Sequence, residues 1–190
     1  MLTEDYQKKA ILWDIEKGTP NEIQENPWQV CTCIGSWHYD IGIYNNNRYK
    51  SAENVIRQLI DVVSKNGNLL LNIPVRGDGS FDEKELAIVQ GIGDWMAVNS
   101  EGIYDTRPWK VFGEGPDAEA VVALNAQGFN EGRIKNFTEK EIRYTSKGKT
   151  VYAFVMGKNS QSILLKSFGR NEKVKSVTCP GSMEKVKWTQ

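Results

Sequence analysis

A single histidine and three cysteines leave this chain of 190 residues little metal-binding chemistry. Cys31 and Cys33 stand two positions apart and Cys179 is remote. An odd number of cysteines is not a disulfide framework, and one histidine cannot complete a Cys/His zinc site, so no metal is expected. Net charge is missing too: 24 Lys and Arg balance 24 Asp and Glu. A nucleic-acid binder needs a surplus of cations to track phosphates, and a peripheral membrane protein needs a polybasic patch. Neither partner is expected. No apolar run approaches the roughly 18–20 residues that cross a bilayer. The stretch from Leu2 to Lys9 is mainly polar, not a basic segment followed by an apolar one, so no secretory signal is read there. Repeats and low-complexity segments are absent, and Gly77-x-Gly79 is too short to be a phosphate loop. No cofactor is implied.

Tryptophan, by contrast, is abundant. Six are present, and Trp13, Trp28, Trp37 and Trp95 fall in the first hundred residues. A flat indole suits the apolar C–H face of a pyranose, but tryptophan is more often a large core residue.

Apolar periodicity divides the chain. Residues 8–15 form a run too short for a helix and read as a strand, broken by Gly18-Thr19-Pro20. Residues 27–39 read as a second strand entering a loop, and Asp40 to Tyr49, with three consecutive asparagines, as an irregular loop. Ser51 can cap a helix that carries Val55, Ile56, Leu59, Ile60 and Val63 on one face and stops at Gly67. The run Asn68 to Pro74 lacks alternation, which suits a strand buried on both faces of a parallel sheet. After a turn at Arg76 to Ser80, a second helix starts near Asp82, with Leu86, Val89, Ile92 or Gly93, and Met96 on its stripe. This alternation is the βα grammar of a parallel sheet or barrel. Beyond a linker at Phe112 to Pro116, only strand patterns follow: Thr150–Met156, Ser162–Phe168, Val174–Cys179 and Lys185–Trp188. They fit an antiparallel sandwich.

Four segments in fixed order carry a resemblance: Pro27-Trp28-Gln29; Ile34 to Tyr39 (Ile-Gly-Ser-Trp-His-Tyr); Leu59 to Asn72, with its Val-Ser-Lys-Asn-Gly-Asn-Leu-Leu-Leu-Asn core; and Gly102 to Trp109, with Ile-Tyr-Asp-Thr-Arg-Pro-Trp. The series resembles the second half of the family 29 glycoside hydrolases, the α-L-fucosidases, from about residue 10 to 116 and more loosely beyond. The resemblance implies the last βα units of a (β/α) barrel over residues 1–110 and an incomplete C-terminal β-sandwich over 111–190. It also implies retaining hydrolysis of terminal fucose, with two carboxyl groups about 5–5.5 Å apart. The family's nucleophilic aspartate lies in a Trp-Phe-Asp-Gly-like segment on an earlier strand, and no such segment occurs here. The chain is therefore expected to be part of a longer product, inactive alone, whose partner is a fucosylated glycan. Export to the periplasm or outside the cell fits relatives that degrade glycans, and homo-oligomerisation of the longer protein stays open.

The resemblance puts the acid/base glutamate near Glu16, at a strand end about a dozen residues before Pro27-Trp28; a surface glutamate beside Lys17 is the plain alternative. Gln29 stands where some relatives carry glutamate and can only hydrogen-bond substrate. Trp28 and Trp37 either line the sugar pocket or pack the core. His38 is more readily structural than catalytic, since no triad can be built around it. Asn72 ends its strand on the active-site side, where it supports the pocket or caps the turn. Arg76 and Asp78 read as a solvated turn. Cys31 and Cys33 share one strand face as small residues. A non-catalytic sugar-binding or structural module, and an interaction domain fused to barrel remnants, are the competing readings.

Overall fold

A computed structural model describes residues 6, 10–120, 137–158 and 162–190. Among these, the strands form two three-stranded sheets, one parallel and one antiparallel. The parallel sheet joins β1 (Trp13–Glu16), β2 (Trp28–Cys33) and β3 (Gly67–Asn72) in sequence order. Its register aligns Trp13 with Trp28 and Trp28 with Gly67. Between β2 and β3 come a short helix α1 (Ile41–Asn45), where the asparagine-rich stretch predicts only loop, and the crossover helix α2 (Ala52–Ser64). The Asp40 side chain accepts from the Gly42 amide at 2.7 Å, which is the local cap that turns this stretch helical.

Helix α2 begins as the sequence predicts, with the Ser51 hydroxyl accepting from the Asn54 amide at 3.2 Å. It packs two ways. Val62 joins Trp13, Ile15, Trp28 and Val30 under the parallel sheet, while Ile56 and Ile60 meet Ile103 and Met156 in a second core. Helix α3 (Glu83–Asn99) closes that second core through Ile92, Trp95 and Met96. Its start is a full capping box: Asp82 accepts from the Lys84 and Glu85 amides, and Glu85 accepts from the Asp82 amide. The expected stripe holds only in its second half, because Leu86 and Val89 lie exposed.

The antiparallel sheet joins β4 (Arg107–Glu114), β5 (Ile142–Lys147) and β6 (Thr150–Val155). A short helix α4 (Pro116–Glu119) follows β4. Three expectations are corrected here. The stretch Phe112 to Glu114, read as linker, is strand: Gly113 and Glu114 pair with Arg143 and Ile142, and a register shift after Pro108 lets the chain bend. The turn itself starts only at Gly115, whose φ of 117° favours glycine. The segments 162–168, 174–179 and 185–188 are irregular, not strands. Their backbone donors find other partners: Glu114 accepts from the Lys166 and Ser167 amides at 2.8 and 2.7 Å. Thus one antiparallel sheet, rather than a sandwich of two, is present among the described residues.

The third correction concerns β3. Its run without alternation predicts cover on both faces, yet Leu70 is 54 % exposed. Helix α2 covers only the face that carries Leu69. The other face is open. The residues 8–9 of the first expected strand lie outside the described residues.

Candidate functional site

Strand alternation sorts the parallel sheet into two faces. Trp13, Ile15, Trp28 and Val30 point to α2 and are buried. Asp14, Glu16, Gln29 and Cys31 alternate with them and occupy the open face. The register sets Asp14 beside Gln29 and Glu16 beside Cys31. Asp14 accepts from Gln29 Nε2 at 3.0 Å and from Cys31 Sγ at 3.1 Å. Burial, that hydrogen bond to Asp14 and the charges of Asp14 and Glu16 push the Cys31 thiol up to about 11. It stays protonated and donates.

Catalytic groups of parallel α/β folds gather beyond the C-terminal strand ends. Three loops meet there. Glu16 closes β1, half-buried, and the Lys17 amide after it donates to the Cys31 carbonyl at 3.0 Å. The Lys17 ammonium lies 5.2 Å from the centre of the Trp37 ring, joining the β1 loop to the β2 loop. From the other side, Asn72 donates through Nδ2 to the carbonyls of Ser36 at 3.3 Å and Trp37 at 3.2 Å. The Arg76 guanidinium lies 5.7 Å from the centre of the Tyr39 ring. The loop after β2 is thus held by a cation on each flank and by an amide beneath it. Trp37 remains 38 % exposed, with ring surface left for a ligand.

The expected site residues therefore separate. Glu16, Trp37, His38 and Asn72 share this rim, with His38 exposed. Gln29 lies further back on the open face, bonded to Asp14. Trp28 lies away from this rim. It is fully buried on the opposite face, 6.4 Å from Trp13 between ring centres, and its indole N–H donates to the Lys65 carbonyl at 2.9 Å. The indole satisfies its one donor inside the core, and its faces pack among Trp13, Ile15, Val30 and Val62. Arg76 is more than a solvated turn, since its cation packs on Tyr39. Asp14 and Lys17 carry no functional expectation in the sequence. Asp14 was discoverable from its i−2 spacing to Glu16, which puts both carboxylates on one strand face.

No group of three or more His, Cys, Asp or Glu side chains among the described residues could hold a metal ion. No helix among them is long and apolar enough to cross a membrane.

The family model for α-L-fucosidase matches residues 2–101. Human tissue α-L-fucosidase is 29 % identical over 180 residues, covering 92 % of this chain and 33 % of that protein. The Macaca fascicularis tissue enzyme is 32 % identical over 147 residues, covering 74 % of this chain and 26 % of its own length. Among solved structures, α-L-fucosidase isoenzyme 1 from Paenibacillus thiaminolyticus superposes with a TM-score of 0.60 at 26 % identity, covering 86 % of this chain and 33 % of that one. The Thermotoga maritima α-fucosidase gives 0.54 at 26 % identity, over 69 % and 26 %. The chain spans about a third of the length of the curated relatives it matches. Sequence and fold converge on the same proteins, through the parallel sheet and into the antiparallel one, and the chain belongs to the α-L-fucosidase family.

Proposed function

We propose that this chain supplies one wall of the sugar-cleaving site of a retaining α-L-fucosidase that removes terminal α-L-fucose from glycans. The parallel sheet is then the closing part of a (β/α) barrel, and residues 111–190 belong to the β-sandwich domain that follows it. The observation that carries this reading is the convergence of Glu16, Trp37 and Asn72 at the C-terminal rim of the parallel sheet.

In that chemistry one carboxylate attacks the anomeric carbon as the leaving oxygen takes a proton from a second carboxyl group, and the two sit about 5–5.5 Å apart across the sugar. Glu16 is the proton donor, and in the second half of the reaction it removes a proton from the attacking water. Trp37 offers an indole face to the C–H side of the ring. Asn72 acts through the loop carbonyls it holds. Asp14 is a poor nucleophile for the same sugar. Gln29 and Cys31 occupy its oxygens, and it shares a strand with Glu16, so both carboxyl groups approach from one side. In this reading the attacking aspartate comes from a Trp-Phe-Asp-Gly-like segment, which does not occur among these 190 residues.

A chromogenic aryl fucoside tests this. No turnover is expected from the 190-residue chain, and turnover is expected from a longer protein that joins it to the upstream aspartate segment. Glu16→Gln in that protein abolishes hydrolysis of substrates with poor leaving groups. Robust hydrolysis by the 190-residue chain alone, or an unaltered rate in Glu16→Gln, would falsify the assignment.

A further inference from the structure

We infer that Lys17 is a positioning residue of this site, acting on bound sugar through Trp37; the inference rests on the function proposed above. Lys17 is one of four non-glycine residues with positive φ among the described residues, at 53°. The others are two asparagines and an aspartate, types that tolerate this region, whereas lysine carries a full Cβ cost there. Such strain persists where surrounding structure imposes it, and it clusters at functional sites.

Two contacts impose it here. The Lys17 amide donates to the Cys31 carbonyl at 3.0 Å, so the chain turns sharply as it leaves β1. The turn swings the side chain across the sheet end until its ammonium reaches 5.2 Å from the Trp37 ring centre. A cation on one face of an indole fixes the plane of the ring and leaves the opposite face for a C–H surface. Asn72 anchors the same residue through its carbonyl, and Trp37 keeps 38 % of its surface exposed. Glu16 precedes Lys17 directly, so the same turn sets where that carboxyl group points. One residue thereby ties the spacing between proton donor and aromatic platform.

The test is made in the longer fucosidase that carries these residues, with three variants. Lys17→Met keeps the stem and loses the cation; it is expected to raise KM for an aryl fucoside about tenfold with kcat little changed. Lys17→Arg keeps a cation over the ring and restores KM to within about twofold of the parent. Lys17→Gly relieves the positive φ, so its Tm is unchanged or raised while KM rises as in Lys17→Met. Loss of substrate affinity with retained stability is an outcome that a merely structural lysine does not produce. A parent protein without fucosidase activity overturns the proposed function and this role with it. An active parent matched in both constants by Lys17→Met, or a Lys17→Arg no better than Lys17→Met, overturns this role alone.

Discussion

Arg143 Nε donates to Asp61 Oδ1 at 2.5 Å, a buried ion pair between residues 82 positions apart that pins the antiparallel sheet to helix α2. Lys65 Nζ reaches the other Asp61 oxygen at 2.8 Å, and Thr19 donates to it at 3.2 Å. Phe112 lies beneath both cations, its ring centre 4.8 Å from Lys65 Nζ and 5.4 Å from the Arg143 guanidinium carbon. Arg143 also contacts Glu141 at 3.4 Å. This cluster lies where α2 ends and the chain turns into β3, away from the rim that bears Glu16. Its role is to set the two sheets against each other.

Removing one member unbalances this buried charge cluster. Arg143→Met is expected to lower the unfolding free energy by about 3–5 kcal/mol, the usual loss when one partner of a buried pair is deleted. For a chain this size that is about 10 °C in Tm. The double variant Asp61→Asn/Arg143→Met should lose less than the two single losses added, because the contact between them is lost only once. Urea unfolding of the four proteins measures this. Single losses that simply add would show that the pair is not coupled.

The acid limb of stability should belong largely to Asp61. Burial alone drives its carboxyl group up, but the charges and hydrogen bonds of Lys65 and Arg143 outweigh it and hold the group well below the usual carboxylate range. A depressed folded-state value stabilises above the unfolded value, about 4, and that stability fades as pH falls towards the folded one. Urea midpoints should therefore be flat near neutrality and fall below about pH 5. Asp61→Asn should flatten that fall, and an unchanged acid slope in the variant would count against the assignment.

Cys31 and Cys179 should separate by alkylation. Burial, the hydrogen bond to Asp14 and two nearby carboxylates hold the Cys31 thiol up at about 11, whereas Cys179 is exposed. Since the thiolate is the nucleophile, iodoacetamide near pH 8 should label Cys179 first and Cys31 slowly. Asp14→Asn should speed the second reaction. Mass spectrometry of timed samples reads both sites, and equal rates in the parent would sink the Asp14–Cys31 contact.

The two tryptophans should respond oppositely. Trp28→Phe replaces a fully buried indole with a smaller ring and removes one of two donors to the Lys65 carbonyl, the Gln24 amide remaining, and should cost about 2–4 kcal/mol. Trp37→Phe should leave Tm within a degree or two and raise KM in the longer fucosidase. Gly67→Ala is a companion check on the same core. A Cβ there would lie 2.5 Å from the Trp28 indole and 2.8 Å from Val62, so overpacking should cost about 1–3 kcal/mol. Thermal melts of Trp28→Phe and Gly67→Ala indistinguishable from the parent would contradict this packing.

Much of the parallel half could be read from local pattern. The helix face of Val55, Ile56 and Ile60, the Ser51 cap and the start at Asp82 all depend on residues within a few positions of each other, and they formed as read. The motifs around Trp37 and Asn72 also led to the right family. What pattern could not decide was which side of a strand is covered. Trp28 and Trp37 have equal claim to a sugar in the sequence, and only the register with Gly67 and the position of α2 bury one and expose the other.

The antiparallel half shows the same division more sharply. Apolar alternation near 162–188 promises strands, yet a strand needs a partner edge, and here the Lys166 and Ser167 amides go to the Glu114 carboxylate. Strand β5, by contrast, escapes local pattern because Arg143 and Thr145 look solvent-facing; both are buried by partners far along the chain. The sequence by itself determined the short-range features: caps, helix faces, the order of βα units and the family. The tertiary structure alone decided which polar residues go inside and which loops meet at the rim, because those outcomes depend on contacts between residues tens of positions apart.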